Sequence, residues 1–376
     1  MFFIIGKNIN IQGLTQVSDN LQLDQGWSNQ GDVWYKGYST ECVLSDKLDD
    51  IICGYKPAGK WCVISNNNVF HPVLRGFPLY DVNNCLTNLC LEDTFQLSYQ
   101  ETPYYETHSL TLEQATDKIG DILYENTVNF LKYNNILEKN LLFSAGLDTM
   151  TTWAILDFVT KSYNLEVYLP KSYDNTFESI IGRTREYNNE FIEIVSKKYW
   201  GYNIYSFKKN TNWYFTGYDA EMIQFRDGEA INALANYVGK TIDTVASEND
   251  YLYWFLKRPA LQRYNETKLT FSDEKDLKKY LWSTIFYDFQ YWHLDNNYGF
   301  SPFYDIRIPQ IMLGLSVKDL VSNAVDAKIQ KEIVKKYKPE ILPLLSTYKN
   351  EKDVWGNFRK NWDSLILDPK TKINLR

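Results

Sequence analysis

Six consecutive residues, Ser144-Ala145-Gly146-Leu147-Asp148-Thr149, have the types and spacing of a phosphate-binding turn. Upstream, Asn140-Leu141-Leu142-Phe143 is a short apolar run that reads as a buried strand, and downstream Met150 to Thr160 reads as a helix. A strand running straight into small residues and then a helix lets backbone N–H groups approach an anion, and the helix dipole adds to the attraction. Ser144 and Thr149 supply hydroxyl donors. Asp148 would repel a phosphate directly, so its role in such a turn is to hold Mg²⁺ bridging a leaving pyrophosphate. The competing reading is an ordinary β-to-α turn in which Asp148 caps the helix.

This hexad resembles the S-G-G-x-D-S/T signature of the PP-loop ATP pyrophosphatases, with Ala145 at the second position, where the signature has glycine. Alanine there removes φ freedom at a turn. Within that superfamily the chain is similar, over roughly residues 60 to 345, to the asparagine synthetase branch, which includes the β-lactam synthetases and lasso peptide cyclases. That branch carries an acidic loop after a later strand. Here the strand is Thr241 to Ala246 and the loop Ser247-Glu248-Asn249-Asp250, so the resemblance implies that Glu248 or Asp250 joins Asp148 around Mg²⁺. A solvated acidic turn is the alternative. Pro302-Phe303-Tyr304-Asp305-Ile306-Arg307 matches the branch's Pro-Phe-x-Asp-x-Arg segment. The lysine that the branch places in the first turn of a later helix falls on Lys328, where it would stabilise charge on the phosphates and the acyl transition state; a surface lysine in the run Lys328, Lys331, Lys335, Lys336 is the other reading.

Two departures bear on the chemistry. The glutamate that often stands four residues before the proline is replaced by Tyr298, a poor base with an ordinary pKa of about 10. The glutaminase domain that opens the amidotransferase members uses an N-terminal cysteine, and position 2 here is Phe2. Arg75-Gly76-Phe77-Pro78-Leu79-Tyr80 still resembles a run of that domain, implying a glutaminase-like fold without the activity. The resemblance as a whole implies a ligase that uses ATP and Mg²⁺ to convert a small-molecule or peptide carboxylate to an acyl-adenylate and then to an amide. In the alternative the chain is a pseudo-synthetase, a nucleotide-binding or scaffold protein without turnover. A third version changes the acceptor to a tRNA base; the acidic net charge and the absence of a catalytic cysteine pair argue against it.

The elements around these residues imply an α/β chain of two domains. Its 376 residues exceed one ordinary core, taking about 150 residues per domain. Residues 1–108 read as a β-rich domain, with strands at Phe2 to Ile5, Val33 to Tyr38, Ile51 to Gly54, Trp61 to Ser65 and Val69 to Tyr80, followed by a linker from Glu92 to His108. Residues 109–376 read as a parallel-sheet domain with a helical C-terminal part. Thr111 and Gln114 form a candidate capping box for a long helix. Further strands are expected at Leu165 to Leu169, Tyr202 to Phe207 and Thr241 to Ala246, separated by helices such as Glu186 to Tyr199 and Ala230 to Tyr237, and the chain from Ser272 onward reads as mainly helical.

Composition bounds the partners. A net charge of -7 argues against duplex nucleic acid as the main partner. No apolar stretch nears the roughly 20 residues that span a bilayer, and the opening Met1-Phe2-Phe3-Ile4-Ile5 lacks the basic flank of a signal peptide, so a cytoplasmic protein is expected. Cys42, Cys53, Cys62, Cys85 and Cys90 show no zinc-ligand spacing and read as buried free thiols.

Overall fold

In a computed structural model the chain is mixed α/β, with antiparallel sheets in the N-terminal region followed by a mainly helical region around a parallel five-stranded sheet. The structure describes residues 3–6, 14–24, 26–74, 79–82, 85–87, 109–134, 136, 139–143, 147–167, 193–199, 202–206, 213–217, 219–225, 228–238, 269–292, 299–341 and 372–374.

The N-terminal region stacks two antiparallel sheets. Strands β1 (Phe3–Ile5), β2 (Thr15–Ser18), β3 (Leu21–Leu23), β8 (Tyr80–Val82) and β9 (Cys85–Thr87) form one sheet in the order β2-β3-β1-β9-β8. Strands β4 (Ser28–Gln30), β5 (Val33–Ser39), β6 (Gly59–Ser65) and β7 (Asn68–Phe70) form the other in sequence order. Strand β6 is buried on both faces because its alternating side chains serve two cores. Cys62 and Ile64 pack with Phe3, Ile4, Leu21 and Leu23 between the sheets, while Trp61 and Val63 pack with Leu44, Leu48 and Ile51 on the far side. Those last residues correct the expected strand at Ile51 to Gly54: Ile51 and Ile52 end helix α1 (Leu48–Ile52), Cys53 and Gly54 form the turn after it, and the spacing Leu44, Leu48, Ile51 is that of a helix face.

Helix α2 (Leu112–Tyr133) opens with the anticipated capping box, in which Thr111 Oγ1 accepts from the Gln114 amide at 3.2 Å and Gln114 Oε1 accepts from the Thr111 amide at 3.0 Å. A five-stranded sheet follows, built from β10 (Lys139–Phe143), β11 (Asn164–Val167), β14 (Trp213–Phe215), β15 (Gly299–Phe300) and β16 (Lys372–Asn374). Its order is β15-β14-β10-β11-β16, and each adjacent pair runs parallel. Helix α3 (Leu147–Val159) is buried almost continuously from Met150 to Asp157, as a helix covered on several sides must be. The remaining helices among the described residues are α4 (Glu221–Gln224), α5 (Gly228–Tyr237), α6 (Glu274–Trp292), α7 (Arg307–Leu313), α8 (Val317–Asp326) and α9 (Lys328–Tyr337). No helix among the described residues is long and apolar enough to cross a membrane.

Two expectations in the middle of the chain are corrected. Residues Glu193–Tyr199, read as the second half of a helix, form strand β12, and β13 (Tyr202–Ser206) pairs with it antiparallel as a hairpin instead of joining the parallel sheet. The alternation Ile194, Ser196 with Val195, Tyr199 fits a strand as well as a helix, and a short connection favours the hairpin. The expected strand Thr241 to Ala246 and the linker Glu92 to His108 lie outside the described residues. Among the described cysteines, Cys42 and Cys62 are buried, but Cys53, in the turn after α1, is exposed.

Aromatic packing joins the two regions. Tyr38 from β5 meets Phe130 of α2 and Phe300 of β15 edge-on, with ring centroids 5.2 and 5.4 Å apart, and Phe130 stacks on Phe300 at 3.9 Å. The Asn134 side chain donates to the Ser39 carbonyl at 3.0 Å, and the Tyr304 hydroxyl donates to the Leu74 carbonyl at 2.5 Å.

Candidate functional site

The sheet order identifies where a ligand would sit. From the middle strand β10 the chain passes through α3 to β11 on one side, whereas the later strands β14 and β15 lie on the other. This is a topological switch point, and in open parallel sheets ligands bind outside the carboxyl ends of the strands at such a point. The second half of the hexad lies there. Ser144, Ala145 and Gly146 are outside the described residues, and Leu147, Asp148 and Thr149 form the first turn of α3. Leu147 is buried in the core, so its side chain serves packing; Asp148 and Thr149 are half-buried.

The carboxyl end of β14 presses against that turn. A Cβ placed on Gly217 would lie 2.5 Å from both the Asp148 carbonyl carbon and the Thr149 nitrogen, so only glycine allows the two backbones this approach. The neighbouring Thr216 carbonyl is 2.9 Å from the Thr152 hydroxyl, which also lies 3.2 Å from the Asp148 carbonyl. Beyond Gly217 the chain turns sharply: Asp219 and Phe225 both hold positive φ, 68° and 48°, on either side of α4. Such conformations are costly for side chains with a Cβ, Phe above all, and cluster where geometry serves a site.

This folded-back segment delivers Gln224 to Asp148. The Gln224 side-chain amide donates to Asp148 Oδ1 at 2.5 Å, the Gln330 amide donates to the same oxygen at 2.8 Å, and the Gln224 amide also donates to Gln330 Oε1. Both glutamines are buried. Gln330 is brought in by α9, whose start is set by Ala327 in the left-handed region and by Asn323. The Asn323 Oδ1 accepts from the Ile329 amide at 3.0 Å, and its side-chain nitrogen donates to the Ile223 carbonyl at 2.6 Å, tying α4 to α9.

Lys328 is the first residue of α9 and half-buried, so the structure puts it on the same helix end that touches Asp148. Gln330 and Lys328 differ by roughly 200° around the helix at 3.6 residues per turn, so they share an end and not a face. Glu248, Asp250 and Tyr298 lie outside the described residues, as do Phe2 and Arg75 to Pro78. Among the described residues no group of three or more His, Cys, Asp or Glu is placed to hold a metal by itself.

The Pro302 to Arg307 segment serves as a clamp. Asp305, buried, accepts from the Arg307 main-chain amide at 2.8 Å, from its Nε at 3.0 Å and from its terminal nitrogen at 2.7 Å. The Asn126 side chain donates to Asp305 at 3.2 Å and to the Pro302 carbonyl at 3.0 Å. Arg307 reaches Glu125 as well, and its hydrogen bonds to Asp305, outweighing burial, raise its pKa above the ordinary guanidinium value. Acid and base satisfy one another, so the motif anchors the start of α7 to α2 beside the end of β15.

Sequence reasoning missed Gln224, Gln330 and Gly217. The signal for Gln330 was a polar residue in the inward stripe Ile329, Gln330, Ile333, Val334; that for Gln224 was its place in Met222-Ile223-Gln224-Phe225. No protein-family model matches the sequence, and no curated protein matches it.

Proposed function

We propose that this chain binds ATP with Mg²⁺ at the switch point and uses it to activate a carboxylate, as the resemblance to the asparagine synthetase branch of the PP-loop ATP pyrophosphatases implies. One observation carries the reading: an aspartate in the first turn of a helix, at the carboxyl end of the middle strand of a parallel sheet, held against a glycine at the end of the next strand.

The donors present fit Mg²⁺ as it occurs with nucleotides. That ion takes hard oxygens, keeps several waters, and needs only one or two carboxylates beside the phosphates. Asp148 supplies such a carboxylate and Thr149 a hydroxyl, and Glu248 or Asp250 is the proposed second carboxylate. Bound there, Mg²⁺ would neutralise charge on the leaving pyrophosphate. The N-terminal end of α3 would favour an anion through its dipole, and Thr149 adds a hydroxyl donor. Lys328 contributes positive charge to the same end. A carboxylate oxygen of the substrate attacks the α-phosphorus, the bond to the α–β bridging oxygen breaks, and pyrophosphate departs. An amine nitrogen then attacks the acyl carbon, the carbon–oxygen bond to AMP breaks, and the amine proton passes to a base.

Incubation with Mg²⁺, ATP and a panel of small-molecule and peptide carboxylates tests this: pyrophosphate and AMP are expected, and release of ADP and phosphate instead overturns it. A second reading, a scaffold or nucleotide-binding pseudo-synthetase, draws on Ala145 and on the engagement of Asp148 by two buried amides, which also suits a staple between helices. Calorimetry with Mg²⁺ and ATP separates them: binding without turnover leaves the nucleotide-binding form, and no binding at millimolar ATP leaves the scaffold alone.

A further inference from the structure

We propose that Gln224 and Gln330 are positioning residues that orient the Asp148 carboxylate toward the divalent cation of the nucleotide, an inference that rests on the Mg²⁺·ATP reading above. Three features of the contact carry it. Both amides land on one oxygen, Oδ1, and Gln224 also donates to Gln330 Oε1, so the three side chains close a ring. A ring of that kind fixes the plane of the carboxylate, and with it the direction of Oδ2. The donors are neutral. A lysine or arginine in their place would orient Asp148 equally well but would compensate its charge and weaken its pull on a cation, whereas an amide orients without neutralising.

The third feature is burial. Gln330 is 0% exposed and Gln224 6%, and their neighbours Ile329, Ile333, Val334, Met222 and Ile223 are apolar. A buried amide is unfavourable unless hydrogen-bonded, and an aliphatic side chain would fill these sites at lower cost if packing were the only demand. The two amides also come from separate elements, α4 after the left-handed Asp219 and α9 after the left-handed Ala327, each brought to Asp148 through a backbone conformation that side chains with a Cβ rarely adopt. The same ring ties the helix end bearing Lys328 to the aspartate, so the proposed cation ligand and the proposed phosphate lysine are set by one contact.

The test measures Mn²⁺ binding by electron paramagnetic resonance in the presence of α,β-methylene-ATP, which cannot be cleaved between its first two phosphates. Gln330→Met, close to isosteric and without donors, is expected to weaken Mn²⁺ binding about tenfold or more, as loss of a group that orients a metal ligand does. Gln224→Met is the second variant and should act in the same direction. In an Asp148→Asn background Gln330→Met should produce no further loss, because the residue acts only through Asp148. A merely structural role predicts otherwise: melting temperature falls, Mn²⁺ affinity of the folded protein stays at the wild-type value, and the inference is overturned while the nucleotide reading stands. If the wild-type protein takes up no Mn²⁺ with the nucleotide, both fall together.

Discussion

Replacing Gly217 with alanine tests the geometry on which the functional reading depends. The added Cβ would meet the Asp148 carbonyl carbon and the Thr149 nitrogen at 2.5 Å and the Asp148 Cβ at 2.8 Å, and all three atoms belong to the start of a packed helix. No flexible side-chain end is available to yield. Ordinary contact begins near 3.4 Å, so β14 and the first turn of α3 must separate by about 0.9 Å. Overpacking of this kind destabilises by about 1–3 kcal/mol. Displacement of a catalytic group by about 1 Å reduces turnover roughly 100-fold. The expected outcome is therefore a modest fall in unfolding free energy, measured by urea titration, together with a much larger loss of pyrophosphate release. Gly120→Ala is the control. Its Cβ would sit 3.4 Å from the Tyr337 ring, in ordinary contact within helix α2, and alanine there should stabilise by roughly 0.5–1 kcal/mol and leave activity alone. If Gly217→Ala matches the wild type in both stability and pyrophosphate release, β14 does not press on α3 and the candidate site is refuted.

Other outcomes follow from the same contacts. Asp148→Asn should abolish pyrophosphate release yet keep the fold, because the asparagine carbonyl still accepts from Gln224 and Gln330; loss of cooperative unfolding would mean that Asp148 is a structural charge. In the buried Asp157 cluster, burial pushes the carboxyl pKa up, but hydrogen bonds from Lys161, Tyr163 and Lys338 outweigh it and hold the pKa below the ordinary value. A carboxylate with a lowered folded-state pKa contributes stability that is present above its unfolded value near 3.9 and is lost as pH falls through the folded value. Asp157→Asn should thus cost about 3 kcal/mol at pH 7, the low end for a broken buried pair because Lys338 keeps Glu340, with the gap to wild type closing in more acid solution; an equal gap at pH 7 and pH 3 would contradict it. Native labelling with a maleimide, read by peptide mass spectrometry, should modify Cys53 well before Cys42 or Cys62, whose thiols burial pushes up. Fast labelling of Cys62 would show that the inter-sheet core opens.

What the sequence made legible was local. Thr111 and Gln114 lie three residues apart and their capping box follows from that spacing; the apolar run before Ser144 and the helix after it are likewise set by neighbours in the chain. Short amphipathic runs were ambiguous because period and propensity disagree over four to seven residues. Ile51 to Gly54 reads as a strand in isolation, but Leu44 and Leu48 give Ile51 its helical partners, and Glu193–Tyr199 is a strand because a hairpin partner begins three residues on. The partners of Asp148 were out of reach in a stronger sense. Gln224 is 76 residues away and Gln330 is 182, and nothing in either segment names the other. Only the folded path through Gly217, Asp219 and Ala327 brings them together.

The N-terminal sheets have a structural purpose that does not depend on a nucleophile at position 2. Tyr38 is buried among Phe130, Phe215 and Phe300, and Phe300 is the last residue of β15, one position before the segment that turns into the Asp305 clamp. Tyr304, inside that segment, donates its hydroxyl to the Leu74 carbonyl. The backbone of β15 accepts from the Thr216 amide at 2.9 Å, and Thr216 precedes Gly217. A continuous chain of contacts therefore runs from β5 through Phe300 and Thr216 to the glycine that seats the first turn of α3. Loss of the N-terminal sheets would expose an aromatic stack at about 25 cal/mol per Å² of apolar surface and would release the strand end against which Asp148 is held. The β-rich region is thus part of the framework of the candidate site, and its packing faces serve that framework independently of any chemistry it performs.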